Sequence, residues 1–154
     1  MAMKMTGAVV LPADQATVWA ALNDAEVLKA SLPGCQSLEK LSDTEFQAVM
    51  KVKVGPVSAT FKGKVELTDI DAPTSYKIIG AGEGGVAGFA KGSAAVALSG
   101  ADGGGTRLAY DVDAQIGGKL AQLGSRLIDG VAKKLADEFF ANFARTVSGG
   151  AASP

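Results

Sequence analysis

The sequence contains no histidine. That removes Ser–His and Cys–His nucleophiles, histidine general bases and most zinc sites, leaving any catalysis to carboxylates, Lys, Tyr or Cys. Its single cysteine, Cys35, has no partner for an internal disulfide. No neighbour that would lower its pKa is evident, so it reads as a small buried hydrophobe. A basic excess is also missing. The chain has 15 basic and 16 acidic residues, a formal net charge of -1, which argues against a nucleic-acid partner. No apolar run reaches about 18 residues, so no segment reads as spanning a bilayer. No secretory signal is visible, and together with the lone thiol this fits the cytoplasm. Aromatic residues make up 6 %, while Gly numbers 20 and hydrophobic residues 47 %. The core is therefore expected to be Val, Ala, Leu and Ile, joined by many tight turns.

The 154 residues read as one domain, 1–147, with a flexible tail over 148–154. Its organising element is a C-terminal helix from Gly118 to Val147, ~45 Å long at ~1.5 Å per residue. Leu120, Leu123, Leu127 and Val131 form one apolar stripe, which drifts to Ile128, Leu135, Phe139 and Phe143. Gly124 lies inside that stripe and costs ~1 kcal/mol against Ala. Such a gap suits a close strand or a ligand.

Ahead of the helix the chain reads mostly as strand. Met3 to Leu11 comes first, stopped by Pro12. Asp14 or Thr17 then opens a short helix through Trp19, Leu22 and Asn23, and Asp24 caps a second, Ala25 to Ala30. From Glu45 the period is two. Phe46, Ala48, Met50, Val52 and Val54 share one face, and Val57, Ala59, Phe61, Gly63, Val65 and Leu67 continue it after the Gly55-Pro56 turn. The other face gathers Lys51, Lys53, Lys62 and Lys64. That is either a solvated face that blocks edge pairing or a dock for anionic head groups or an acidic partner. Gly80, Gly82 and Gly85 spell G-x-G-x-x-G, but a strand rather than a helix follows, so no dinucleotide site is expected. The segment Gly82–Phe89 reads either as an ordinary hairpin or as a mobile apolar flap. Asp111 and Asp113 share the outward face of the last strand, away from any cavity.

The order predicts an α+β fold: a curved antiparallel sheet of about seven strands wrapped on the long helix, with two short helices after strand 1. An incomplete barrel of this kind leaves a cavity between helix and sheet. Many inward residues are small, among them Ala48, Ala59, Gly63, Ala94 and Ala114. They either let the layers close or leave a tunnel, and the helix length favours the tunnel.

Four segments in order carry a resemblance: Leu32-Pro33-Gly34-Cys35; Lys53-Val54-Gly55-Pro56-Val57 with Phe61-Lys62-Gly63; Gly88-Phe89-Ala90-Lys91-Gly92-Ser93-Ala94; and Tyr110-Asp111-Val112 leading to Gly117-Gly118-Lys119-Leu120-Ala121. The chain resembles the START-like (SRPBCC) helix-grip proteins and, more narrowly, the CoxG family of carbon monoxide dehydrogenase subunits, over roughly Met3 to Thr146. The resemblance implies an accessory protein of a molybdenum-containing carbon monoxide dehydrogenase or related hydroxylase. It also implies a peripheral position on the inner face of the cell membrane and a role in carrying a respiratory quinone such as menaquinone.

Three functions follow as expectations. The first is a non-enzymatic carrier of a long apolar ligand, with no covalent cofactor and no metal, lined by Phe61, Tyr76, Phe89, Tyr110, Leu120, Leu123, Gly124 and Leu127. Tyr76 or Tyr110 would donate a hydrogen bond to a quinone oxygen, and Leu at position 124 would block the tunnel. The second is a tether that uses Lys51, Lys53, Lys62 and Lys64 as its membrane or partner surface. The third is a polyketide cyclase or hydrolase, disfavoured because the charges on the alternating strands face outward.

Overall fold

The computed structural model describes residues 1–152, with side chains to residue 148. Strand β1 (Ala2–Leu11) leads into α1 (Gln15–Leu22) and α2 (Ala25–Ser31). The strands β2 (Cys35–Lys40), β3 (Glu45–Val54), β4 (Val57–Asp71), β5 (Ser75–Glu83), β6 (Phe89–Gly100) and β7 (Thr106–Gly117) follow. A four-residue α3 (Lys119–Gln122) precedes the long α4 (Ser125–Ala152). The seven strands form one antiparallel sheet in the order β1-β7-β6-β5-β4-β3-β2. Successive strands β2 to β7 pair as a meander of hairpins, and β1 closes onto β7.

Local chemistry starts and stops these elements. Asp14 caps α1 by accepting from the Thr17 N–H at 2.8 Å, and Asp24 caps α2 through the Glu26 N–H at 2.9 Å. Along β3, β4 and β7 the burial alternates residue by residue, as the sequence predicts for a sheet with one wet face.

The expected single helix is two helices. Gly124 adopts φ +91, a backbone conformation that L side chains rarely take, and α4 begins on its far side, with the Ile128 N–H donating to the Gly124 carbonyl at 3.2 Å. At the other end α4 passes Val147 and runs to Ala152, beyond the expected boundary. The flexible tail expected over 148–154 is therefore helical to 152, and Ser153 and Pro154 lie outside the described residues.

The core is divided. Near the C-terminal half of α4, Phe143 and Val147 pack with Leu11, Val18, Phe46, Leu67, Tyr76, Val96, Leu98 and Leu108. Phe143 is fully buried and stacks on Phe139. Two polar clamps, the first of them buried, fix this end. Thr106 Oγ1 donates to the Ala13 carbonyl at 2.8 Å, and Asn142 Nδ2 to the Ser31 carbonyl at 3.1 Å. A second, smaller cluster of Val54, Ile116, Leu120 and Ile128 closes the other end, where Phe61, Leu123 and Val131 pack against it.

Candidate functional site

Between the two clusters lies an apolar cavity of about 370 Å³ on the inner face of the sheet. The inward residues of β3 to β7 line it, among them Met50, Phe61, Val65, Ile78 and Val112. Its floor is a band of small residues held in register. Ala48 faces Gly63, which faces Gly82 and then Ala90; Gly80 faces Gly92, which faces Ala114. Leu135 of α4 is half-buried and belongs to neither cluster. The helix is therefore anchored at both ends, and the small residues leave the space between unfilled.

The glycines in the band also shape the sheet. A β-carbon on Gly63 would lie 2.5 Å from the Ala81 carbonyl oxygen and 3.0 Å from Gly82 Cα. Neighbouring backbone presses in where the sheet curls, and only glycine leaves room for it. The curvature and the vacant volume therefore share one cause.

The expected lining residues fall in several places. Phe61 borders the cavity. Leu120 is buried in the closing cluster and Leu123 packs against it, and neither lines the cavity. Tyr76 is 5 % exposed, with its ring edge-on to Trp19 at 5.3 Å, deep in the larger cluster. Burial pushes its phenol well above the usual tyrosine range. Tyr110 stacks on Phe140 at 5.3 Å and faces a groove between β1 and α4 beside Asp129 and Lys133, not the apolar cavity. Phe89 shares the outward phase of Lys91 and lies over Gly117, 40 % exposed on the outer face. Leu127, 37 % exposed, sits by the Gly55 turn, and Gly124 forms the helix break rather than a gap in a packed stripe. The small inward residues of the sequence are the ones that line the cavity. Ala48, Gly63, Ala94 and Ala114 did show as small letters at inward positions, while Gly80, Gly82 and Gly92 carried the same signal unread.

The inward side chains around the cavity bear no titratable group; Lys64 and Lys91 border it from outward-phase positions. A larger hollow of about 630 Å³ lies on the outer face among Lys64, Glu66, Lys91 and Asp113. An apolar ligand there would desolvate charges, so the inner cavity is the better site for one. Lys51, Lys53, Lys62 and Lys64 are exposed on the outer face of β3 and β4, and Lys62 stands opposite Glu83. Among the described residues none of these lysines forms an ion pair. Asp111 and Asp113 point to water on β7. The Cys35 thiol donates to the Ser37 carbonyl, and burial raises its pKa, which suits a structural role rather than a nucleophile. Gly82 to Phe89 forms a hairpin closed by a single 3₁₀ turn, Gly85–Ala87, with the Gly84 N–H donating to the Gly88 carbonyl at 2.8 Å. No metal-binding cluster occurs among the described residues, and no helix among them is long and apolar enough to cross a membrane.

A curved antiparallel sheet gripping a long helix around an apolar cavity is the architecture of the START-like proteins. A START superfamily protein from Mycobacterium smegmatis shares it at a TM-score of 0.70 and 13 % identity, covering 94 % of this chain and 97 % of that one. The Zhui aromatase/cyclase from Streptomyces sp. R1128 shares the fold at a TM-score of 0.70 and 12 % identity, covering 97 % and 95 %. A conserved protein from Geobacillus kaustophilus is more similar, with a TM-score of 0.89 and 31 % identity over 95 % of both chains. Residues 7–148 match the CoxG family of carbon monoxide dehydrogenase subunits, and the chain belongs to that family. No curated protein matches it in sequence.

Proposed function

We propose that this protein is a non-enzymatic accessory of a molybdenum-containing carbon monoxide dehydrogenase. It holds a slender apolar ligand, most concretely a respiratory quinone such as menaquinone, between sheet and helix. The observation that carries the reading is the divided core, with an apolar cavity floored by small residues and no ionisable side chain turned into it. Its volume lies in the ~300–1,000 Å³ range of small-molecule sites. Each CH₂ of an isoprenoid tail moved there from water contributes ~0.8 kcal/mol and asks for no hydrogen bond. The wholly apolar set of side chains turned into the cavity favours carriage over cyclase chemistry. Membership of the CoxG family supports the dehydrogenase as partner. In this reading the protein sits peripherally on the inner face of the cell membrane and links the enzyme to the electron-transport chain. It supplies position, while the redox chemistry belongs to quinone and enzyme.

Organic extraction of the natively expressed protein followed by mass spectrometry tests this. A stoichiometric quinone or other isoprenoid is expected. An extract empty of apolar ligand, before and after incubation with quinone-loaded vesicles, would overturn it in favour of a tether that works through the outer lysines.

A further inference from the structure

The outer face of the sheet is ordered about a line. Val65, Gly80, Gly92 and Ala114 stand in one row across β4, β5, β6 and β7. All four occupy inward positions, so the row offers the outer face only backbone. The hollow of about 630 Å³ among Lys64, Glu66, Lys91 and Asp113 opens over it. Within three residues of the row, the charges on these strands sort by side. Lys62, Lys64 and Lys91 stand towards the Gly55-Pro56 turn, and Glu66, Asp111 and Asp113 stand on the other side. The two exceptions are Glu83 on the basic side and Lys77 on the acidic side.

Apolar bulk and apolar gaps sort the same way. Ile79, 51 % exposed, stands on one side of Gly80, and the small Ala81 stands on the other. Phe89 lies over Gly117 three residues before Gly92. Three residues beyond Gly92 is Ala95, at the edge of a second outer hollow of about 360 Å³ that Lys77, Ala97, Ala109 and Asp111 also border. Each projecting side chain thus has a small one at the mirrored place across the row.

A two-fold rotation about this row sets every outer residue against its mirrored position on a second molecule. Lys64 then meets Glu66, Glu83 meets Lys77, Ile79 meets Ala81 and Phe89 meets Ala95, each contact made twice. No charge meets its own sign: Lys62 faces Thr68, Lys91 faces Ser93, Asp113 faces Gln115 and Asp111 faces Gly117. We propose that the outer face of the sheet binds a second copy of this chain in a two-fold, back-to-back dimer. Sheets packed this way lie ~10 Å apart with their strands within about 30°, close enough for Lys–Glu pairs to meet. Four strands ~4.8 Å apart and about seven residues long offer roughly 450 Å² per copy, so the dimer is a weak, reversible one. Helix α4 and the inner cavity stay outside the contact, and the dimer stands independently of any cargo.

The test is sedimentation velocity of the whole chain from about 1 to 500 µM over a salt series. A monomer–dimer equilibrium that weakens as salt rises is expected. Lys64→Glu sets like charges against each other twice, and so does Glu66→Lys, so either alone is expected to weaken the dimer about ten-fold or more. An equimolar mixture of the two variants regains both attractive pairs in a heterodimer. Lys64→Glu and Glu66→Lys in one chain regain them in a homodimer, and both are expected within about three-fold of the parent. Ala95→Gln, which fills the seat of Phe89, is expected to weaken the dimer at every salt concentration. Lys29→Glu on α2, away from the sheet face, should leave it within about two-fold of the parent. All these positions are exposed, and circular dichroism reports whether each variant is folded. A parent that stays monomeric throughout, or a dimer that the single reversals leave intact, would overturn the proposal. So would folded single variants whose loss neither mixing nor combination repairs.

Discussion

Ala48 and Gly63 face each other across β3 and β4, and neither joins the packed cluster at either end of the molecule. Ala48 ends at its methyl and Gly63 bears no side chain, so the pair forms part of the cavity's floor. Elsewhere on the same strands Phe46 and Val54 reach the core and are buried. The difference between filled and vacant parts of the inner face is one of side-chain size at fixed register.

Filling that floor should separate stability from ligand binding. Ala48→Leu adds three carbons to an apolar space, and is expected to raise stability by up to about 2 kcal/mol while reducing quinone loading at least ten-fold. Urea denaturation and extraction of the variant check both. A stabilised variant that loads as well as the parent would place the ligand elsewhere.

Gly63→Ala is expected to act in the opposite direction. Its β-carbon would press on the Ala81 carbonyl and Gly82 Cα, so a loss of about 1–3 kcal/mol is expected in chemical denaturation. A neutral result would show that the sheet relaxes at this bend.

At Gly124 the expected outcome differs from the one its place in the apolar stripe suggests. Nothing lies within 4 Å of the position its β-carbon would take, but its φ of +91 strains any side chain. Gly124→Ala should cost about 1–2 kcal/mol, and Gly124→Asn less, because Asn tolerates left-handed backbone better. Thermal melts of the two variants give the order. Equal costs would indicate that the break itself straightens. Leu at this position therefore tests the helix joint and not the tunnel.

Much of the architecture was legible because alternation is a local property. Phe46 to Val54 and Val57 to Leu67 state their own inward face, and the pairs Gly55-Pro56 and Gly117-Gly118 mark where strands end. The break at Gly124 was not legible, since the apolar spacing of Leu120, Leu123 and Leu127 runs through it unbroken and a glycine's φ leaves no trace in a helical wheel. Phe89 misled as a large apolar residue at a loop, although its two-residue spacing from Lys91 already put both on the wet face. Tyr76 and Tyr110 point inward as alternation requires, yet which inward residues line a gap depends on where α1 and α4 cover the sheet. Trp19 meets Tyr76 and Phe140 meets Tyr110, contacts spanning 57 and 30 residues that no window of periodicity contains.

The central claim, that an apolar ligand occupies the space between the two core clusters, is tested most directly by the methionine methyl groups. Met50 lines the cavity, Met1 and Met3 pack against the closing cluster, and Met5 borders the groove between β1 and α4. In protein labelled with ¹³C at the methionine methyls, titration with a soluble short-chain quinone should shift the Met50 resonance saturably and more than those of Met1, Met3 and Met5. A quinone that binds while Met50 stays unmoved would contradict the account.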